Sequence, residues 1–288
     1  MASKTSVGVF LDMIRFEHTV FALPFAYIGM LLAARGWPGW WKFAWITVAM
    51  AAARTAAMSF NRFADRQFDA RNPRTASRAI PQGRISARAA LWVAVVSVVL
   101  LAVAAWLLHP ICLYLLPLAA LFLLGYSYTK RFTWLSHWIL GITDGIAGAG
   151  AWLAVRGTLD GPGFLLWFAV AVWIAGFDLL YACQDVEFDR SEGLRSMPAR
   201  FGVRAGFIWA RINHVLMIAA LALTGLWAGL GWPYWVGLAV VAALLIYEHA
   251  LVSPNDLSRL DLAFFNINGY ISLITLASVT LGLMAALA

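Results

Sequence analysis

Residues 39–69 read GWWKFAWITVAMAAARTAAMSFNRFADRQFD, an apolar run that ends in Asn61, Asp65 and Asp69. Residues 164–189 read FLLWFAVAVWIAGFDLLYACQDVEFD and end the same way, in Asp178, Tyr181, Asp185 and Asp189. Crossing a bilayer takes about 20 predominantly apolar residues, and both runs meet that length. Carboxylates are costly at such a position, about 2.5–3.5 kcal/mol each on insertion scales at a helix centre. Two apolar runs that close on carboxylates therefore need something cationic at their ends.

Working outward, comparable runs lie near 15–35, 39–62, 87–108, 111–129, 136–155, 164–184, 206–227, 232–252 and 262–287. The expected fold class is all-α integral membrane, with nine transmembrane helices in a bundle around a central cavity, as a single domain over 1–288. Composition agrees. The chain is 62% hydrophobic and 12% charged, against roughly 25% charged in a soluble domain. No cleavable signal peptide is expected, because the first apolar run is itself of spanning length. Cys112 and Cys183 sit inside apolar runs, which argues against disulfides and zinc. Trp37, Trp40, Trp41, Trp134, Trp232 and Trp235 lie at span ends, as an interfacial aromatic belt requires.

The net charge of +7 is concentrated on one side. Seven arginines from Arg62 to Arg88 lie between spans 2 and 3; Lys130 and Arg131 follow span 4; Arg190, Arg195, Arg200 and Arg204 follow span 6. The opposite loops hold little beyond Arg35, Lys42 and Arg156. The positive-inside rule makes the basic loops cytoplasmic. The N-terminus is then inside, the C-terminus outside, and the protein sits in the cell's inner membrane. This charge reads as orientation plus attraction to anionic lipid, with no nucleic-acid partner expected.

The acids lie on the same side as the arginines. An offset of 120 residues relates Asp65 to Asp185, Asp69 to Asp189 and Asn61 to Tyr181. This implies two related halves, each giving one acidic helix end to a central site. Positions i, i+4 and i+8 share one side of a helix, so Asn61, Asp65 and Asp69 form one oxygen-bearing stripe; Asp178, Tyr181, Asp185 and Asp189 form another. Mutual neutralisation of acids and arginines at the membrane face is the plain structural reading. Against it, the carboxylates are spaced to converge while the arginines lie downstream in the loops. Hard oxygens without His or Cys suit Mg²⁺, which takes one or two carboxylates together with phosphate oxygens and water. Acidic clusters, a basic rim and an apolar interior describe a site for a lipid diphosphate.

The segment Asn61–Asp69, continuing through Arg74, Arg78 and Pro81 to Gly83, resembles the first motif of the UbiA prenyltransferase superfamily. The segment Asp178–Asp189, continuing through Gly193 and Ser196 to Gly202, resembles the second. The match is nearest the quinone-biosynthesis branch, the 4-hydroxybenzoate polyprenyltransferases, and with the span layout it covers the whole chain. The resemblance implies Mg²⁺-diphosphate ligands at Asn61, Asp65, Asp69, Asp185 and Asp189, and catalytic roles for Asp178 and Tyr181. It implies diphosphate-binding bases at Arg74, Arg78, Lys130 and Arg195. It also implies transfer of a polyprenyl group from a polyprenyl diphosphate to a small hydroxyaromatic acid, in ubiquinone or menaquinone synthesis. A dihydroxynaphthoate acceptor competes with 4-hydroxybenzoate. Two departures stand out: Arg62 replaces a frequent aspartate, and Ala79 a frequent proline.

Tyr126, Tyr128 or Tyr181 could face an allylic cation, since cations are drawn to aromatic faces; ordinary packing is the alternative for each. Arg54 lies mid-span, seven residues before Asn61. A buried arginine in a membrane is a functional-site candidate, here for the acceptor's carboxylate; an ion pair with Asp144 of span 5 is the alternative. Arg15, Glu17 and His18 open span 1 and read as interfacial. His214, Glu248 and His249 read as span-face or span-end residues with no constellation around them. Gly145, Gly148 and Gly150 suit close helix packing, or room for substrate.

A transporter is the rival reading from another class, since pseudo-repeats and intramembrane acids occur there too. It predicts a midplane site on broken helices, whereas these acids cluster at one face and span 2 has no internal Pro or Gly. A diphosphate hydrolase needs a base or nucleophile near the phosphates, and no His accompanies the motifs. Prenyl chain length and oligomeric state are not written in the sequence.

Overall fold

In lipid every backbone N–H and C=O must be satisfied within its own segment, so apolar runs of this length fold as helices. A computed structural model describes residues 6–14 and 19–287. A short α1 (Ser6–Met13) precedes α2 (Thr19–Ala34) and α3 (Trp40–Ala64), which breaks and resumes as α4 (Arg66–Arg71). Then come α5 (Ala87–Leu108), α6 (Pro110–Thr129), α7 (Ser136–Arg156) and α8 (Gly161–Ala182). A 3₁₀ turn, Cys183–Asp185, carries α8 into α9 (Val186–Ser191). The rest is α10 (Met197–Phe201), α11 (Val203–Ala228), α12 (Trp232–Leu251), α13 (Leu260–Leu262), a π turn Ala263–Ile267 and α14 (Asn268–Leu287).

Among the described residues, 8 helices are long and apolar enough to cross a membrane. The expected span near 15–35 is represented by α2, of which 16 residues are described. Arg15, Glu17 and His18 lie outside the described residues.

α8 is the centre of the bundle, with Leu166, Trp173, Ala175 and Leu179 fully buried. α7 and α11 pack on either side of it. Small residues permit this closeness. A side chain at Gly141 would run into the Ala171 carbonyl of α8, and one at Gly145 into Trp167. At Gly29 it would strike the Gly148 carbonyl where α2 crosses α7. The packing reading of Gly145 and Gly148 thus holds, while Gly150 has only Ile146 Cγ2, at 3.8 Å, near a built side chain. Outward faces remain apolar, as at Val96 and Val99 of α5 and Val215 and Leu223 of α11. Trp37, Trp40, Trp41 and Trp232 are exposed at the span ends.

The two acidic segments break alike. Asp65 has φ −95°, ψ 6° and Asp185 has φ −101°, ψ 7°, the sparsely populated bridge region between helix and strand. The short helices that follow, Arg66–Arg71 and Val186–Ser191, begin and end 120 residues apart. The sequence pattern implied one continuous stripe per helix. Instead each stripe turns at its middle aspartate, so Asp69 and Asp189 sit on separate short helices. Both are buried, at 6% and 2% exposure.

Candidate active site

The ends of α3 and α8, with the loops after α4, α6 and α9, enclose a polar pocket of about 260 Å³. Beneath it lies a larger cavity of about 670 Å³ with apolar walls, mainly from α3, α6 and α7. The two share a wall made of Met58, Tyr126, Leu140, Asp178 and Tyr181.

All five expected metal ligands line the polar pocket, together with Arg74, Arg78 and Lys130. Asn61 donates to Asp65 Oδ2 at 2.9 Å, as an i, i+4 pair at a helix end allows. Arg78 Nη1 donates to Asp69 Oδ1 at 2.6 Å, and Arg131 Nη2 to Asp65 Oδ1 at 3.1 Å. Arg74 reaches across to the other half, where Nε and Nη2 meet Asp185 Oδ1 and Oδ2 at 2.9 and 2.5 Å. Its Nη1 donates to the Tyr181 hydroxyl at 3.0 Å, and Asn72 adds a further bond to Asp185 at 3.2 Å. Lys130 Nζ stands 3.8 Å from Asp189 Oδ2, beyond hydrogen-bonding distance. Asp69 Oδ2 and Asp189 Oδ2 are buried and accept no hydrogen bond from the described residues.

Among the described residues, five carboxylates (Asp65, Asp69, Asp178, Asp185 and Asp189) and five cations (Arg62, Arg74, Arg78, Lys130 and Arg131) thus line one pocket, and their formal charges cancel. Burial pushes the Asp65 carboxyl above its ordinary value, against the hydrogen bond from Arg131. Burial works against the charge on Arg74 and on Lys130. The hydrogen bond and charge of Asp185 reverse this for Arg74; the charges of Asp189, Asp178 and Asp185 do so for Lys130, so both bases sit above their usual values.

Four expectations need amending. Among the described residues no three carboxyl, imidazole or thiol groups come together as a ready metal cluster; the acids face each other across the pocket, each in reach of a cation. Arg195 does not join them. Its backbone N–H is tied to the Lys130 carbonyl at 2.6 Å and its guanidinium to the Phe132 carbonyl at 3.2 Å, which turns the side chain along the loop. Tyr128 lines neither cavity; two residues on a helix is a rotation of about 200° from Tyr126. It packs on Phe60 and under Arg131, 36% exposed. Finally, His214, Glu248 and His249 do have partners, and none of the three lines either cavity. His214 Nδ1 lies 3.0 Å from His249 Nε2, and Glu248 accepts from Asn268 at 3.3 Å.

Arg54 and Asp144 both face the apolar cavity. Sequence reasoning missed His137, fully buried, with Nδ1 2.6 Å from Asp178 Oδ2. It missed Arg131, Asn72 and Ser127 as pocket residues too; only the loop position of Arg131 hinted at it.

The UbiA prenyltransferase family model matches residues 22–270. A 4-hydroxybenzoate octaprenyltransferase from Xanthomonas euvesicatoria is 37% identical, over 82% of this chain and 78% of its own. The apo structure of a UbiA homolog from Aeropyrum pernix superposes with a TM-score of 0.83 at 32% identity, covering 91% of this chain and 97% of that one. A UbiA homolog from Archaeoglobus fulgidus, bound to DMAPP and Mg²⁺, shares the fold at a TM-score of 0.66 and 18% identity, over 92% and 98% of the two chains. With a matching family model over most of its length and relatives of this identity, the chain belongs to the UbiA prenyltransferase family.

Proposed function

We propose that this membrane enzyme uses Mg²⁺ to transfer a polyprenyl group from an allylic polyprenyl diphosphate to the ring of a hydroxyaromatic acid of the 4-hydroxybenzoate kind, in quinone biosynthesis. The observation that carries the reading is the shared wall between an acid- and arginine-lined pocket and an apolar cavity. A diphosphate head fits the first, a prenyl tail the second, and the scissile C–O bond falls at the wall. The name of the Xanthomonas relative supports a hydroxybenzoate over a naphthoate acceptor. The chain acts as one domain in the inner membrane, with its N-terminus and active site cytoplasmic and its C-terminus outside, as its basic loops require.

The pocket suits Mg²⁺. Its donors are hard oxygens, and the buried Asp69 Oδ2 and Asp189 Oδ2 accept no hydrogen bond. Asn61, Asp65 and Asp69 would serve one ion, Asp185 and Asp189 another. One or two carboxylates each, with phosphate and water, is the usual Mg²⁺ shell. When bound, Mg²⁺ neutralises charge on the departing diphosphate.

The protein groups do the rest. Arg74, Arg78 and Lys130 hold the outer phosphate oxygens, Arg74 bidentately where its fork allows. As the allylic C–O bond breaks, the rings of Tyr126 and Tyr181 in the shared wall face the allylic cation. The apolar cavity keeps water from it. Arg54 binds the acceptor's carboxylate, with Asp144 across the cavity orienting it. Asp178, at the wall, accepts the acceptor's hydroxyl hydrogen bond and enriches the ring, which attacks the cation and then loses a proton.

The test is purified protein with Mg²⁺, a short allylic diphosphate and a panel of hydroxyaromatic acids, products read by mass. Wild-type protein that prenylates no acid and behaves like Asp65→Ala would overturn the reading.

A further inference from the structure

His137 stands at the start of α7 with its side chain fully buried. Its ring is held at both nitrogens. The Met197 backbone N–H donates to Nε2 at 3.3 Å, and Nδ1 lies 2.6 Å from Asp178 Oδ2. A nitrogen that accepts from an amide carries no proton. The tautomer is therefore fixed by the hydrogen bonds: the imidazole is neutral, its proton is on Nδ1, and it donates to Asp178. An imidazolium would set two donors, Nε2–H and the Met197 N–H, against each other.

Asp178 belongs to the wall between the two cavities, and its side chain keeps 23% exposure although it sits deep in α8. His137 is the one side-chain donor to it among the described residues. The imidazole occupies Oδ2 and leaves the other oxygen for whatever enters the cavity. A carboxylate held this way stays an acceptor and is fixed about its last torsion. The Met197 amide reaches the same ring from the first residue of α10, so that helix start fixes the ring's own rotation.

We infer that His137 is a positioning residue for prenyl transfer: its Nδ1–H aims Asp178 at the hydroxyl of the aromatic acceptor where the two cavities meet. This rests on the prenyltransferase reading above. It makes His137 matter to the acceptor half of the reaction and not to the diphosphate half, because among the described residues no hydrogen bond links His137 to the Asp65–Asp69 or Asp185–Asp189 clusters.

Three variants separate the two bonds of the ring. Asn at 137 places an amide N–H near the Nδ1 position and abandons Met197; Gln reaches the Nε2 position and abandons the Nδ1 geometry; Phe keeps bulk and loses both. Each is compared as folded, monodisperse protein of measured Tm. His137→Phe is expected to lower kcat/KM for the hydroxyaromatic acid about 10- to 100-fold, the range for partners that orient an active group, with KM for the prenyl diphosphate unchanged. His137→Asn should recover most of the loss even with a lower Tm, and His137→Gln should not. The same Phe substitution in an Asp178→Asn background should cost little more than Asp178→Asn alone. Recovery by Gln and not Asn would assign His137 to holding the start of α10 at Met197 and overturn the inference, as would equal loss in all three or a parallel rise in diphosphate KM. Wild-type protein that prenylates no acid fails in a different place, at the proposed function itself.

Discussion

Arg74 and Asp185 come from different halves of the chain, and the guanidinium of the first grips both oxygens of the second, at 2.9 and 2.5 Å. The pair closes the polar pocket across the pseudo-repeat and ties the loop after α4 to the turn that follows α8. A lysine at this position has the charge but not the fork. Arg74→Lys is therefore expected to lose about 10- to 100-fold in kcat/KM for the prenyl diphosphate, the equivalent of roughly 1.5–3 kcal/mol for a hydrogen bond to a charged group. Arg195→Ala, whose side chain lies outside the pocket, should stay within about threefold of wild type. Steady-state kinetics with both variants check this.

Asp69 and Asp189 each present a buried oxygen with no hydrogen-bond donor. Asp69→Asn and Asp189→Asn should each lower turnover by at least about 100-fold, comparable to removing one group aimed at developing charge, and raise the Mg²⁺ concentration for half-maximal rate. Mg²⁺ titrations of product formation decide it; an unchanged midpoint in both variants would sink the ligand assignment.

Arg54 lines the apolar cavity, as does Asp144. If it holds the acceptor's carboxylate, Arg54→Ala should raise KM for a hydroxybenzoate about 10- to 100-fold, as expected for a lost charge-assisted hydrogen bond. An uncharged phenol should then be used equally, and poorly, by both proteins. Lower expression with an unchanged acceptor KM would reduce Arg54 to a structural ion.

Gly29 and Gly150 differ in what a side chain would meet. A Cβ at Gly29 runs into the Gly148 carbonyl, while one at Gly150 finds only Ile146 Cγ2 at 3.8 Å. Gly29→Ala should destabilise by about 1–3 kcal/mol, the usual cost of overpacking. Gly150→Ala, on the cavity wall, should leave Tm unchanged. Thermal unfolding in detergent distinguishes them.

Much of this architecture was legible in the sequence, because the lipid environment translates apolar length directly into helices. The constant spacing of Asp65 and Asp69 against Asp185 and Asp189 located the pocket and its two halves. The breaks at Asp65 and Asp185 were not legible, since a periodic pattern continues through a single bridge-region residue without a gap. Tyr128 and Arg195 were misplaced by proximity in sequence: one faces the wrong way round its helix, and the other is turned aside by a backbone bond to Lys130. His137 left no trace at all. It is 41 residues from Asp178, on another helix, and only packing of α7 on α8 joins them.

The balance of five carboxylates and five cations among the described residues of the polar pocket has a thermodynamic consequence. A site whose formal charges cancel exerts little net pull on a lone dication or a lone polyanion. To engage Asp65, Asp69 or Asp185 fully, a dication alone would have to loosen an existing arginine pair, and a diphosphate alone would have to take an arginine from its acid, whereas the two together exchange partners. Uptake is then cooperative, and by linkage each ligand tightens the other by the same factor. Calorimetric titration should find Mg²⁺ and inorganic diphosphate weak separately and tight in combination. The same coupling works in reverse after transfer: once one ion departs the other is loosened, so the spent diphosphate leaves with its metal and the internal pairs close again.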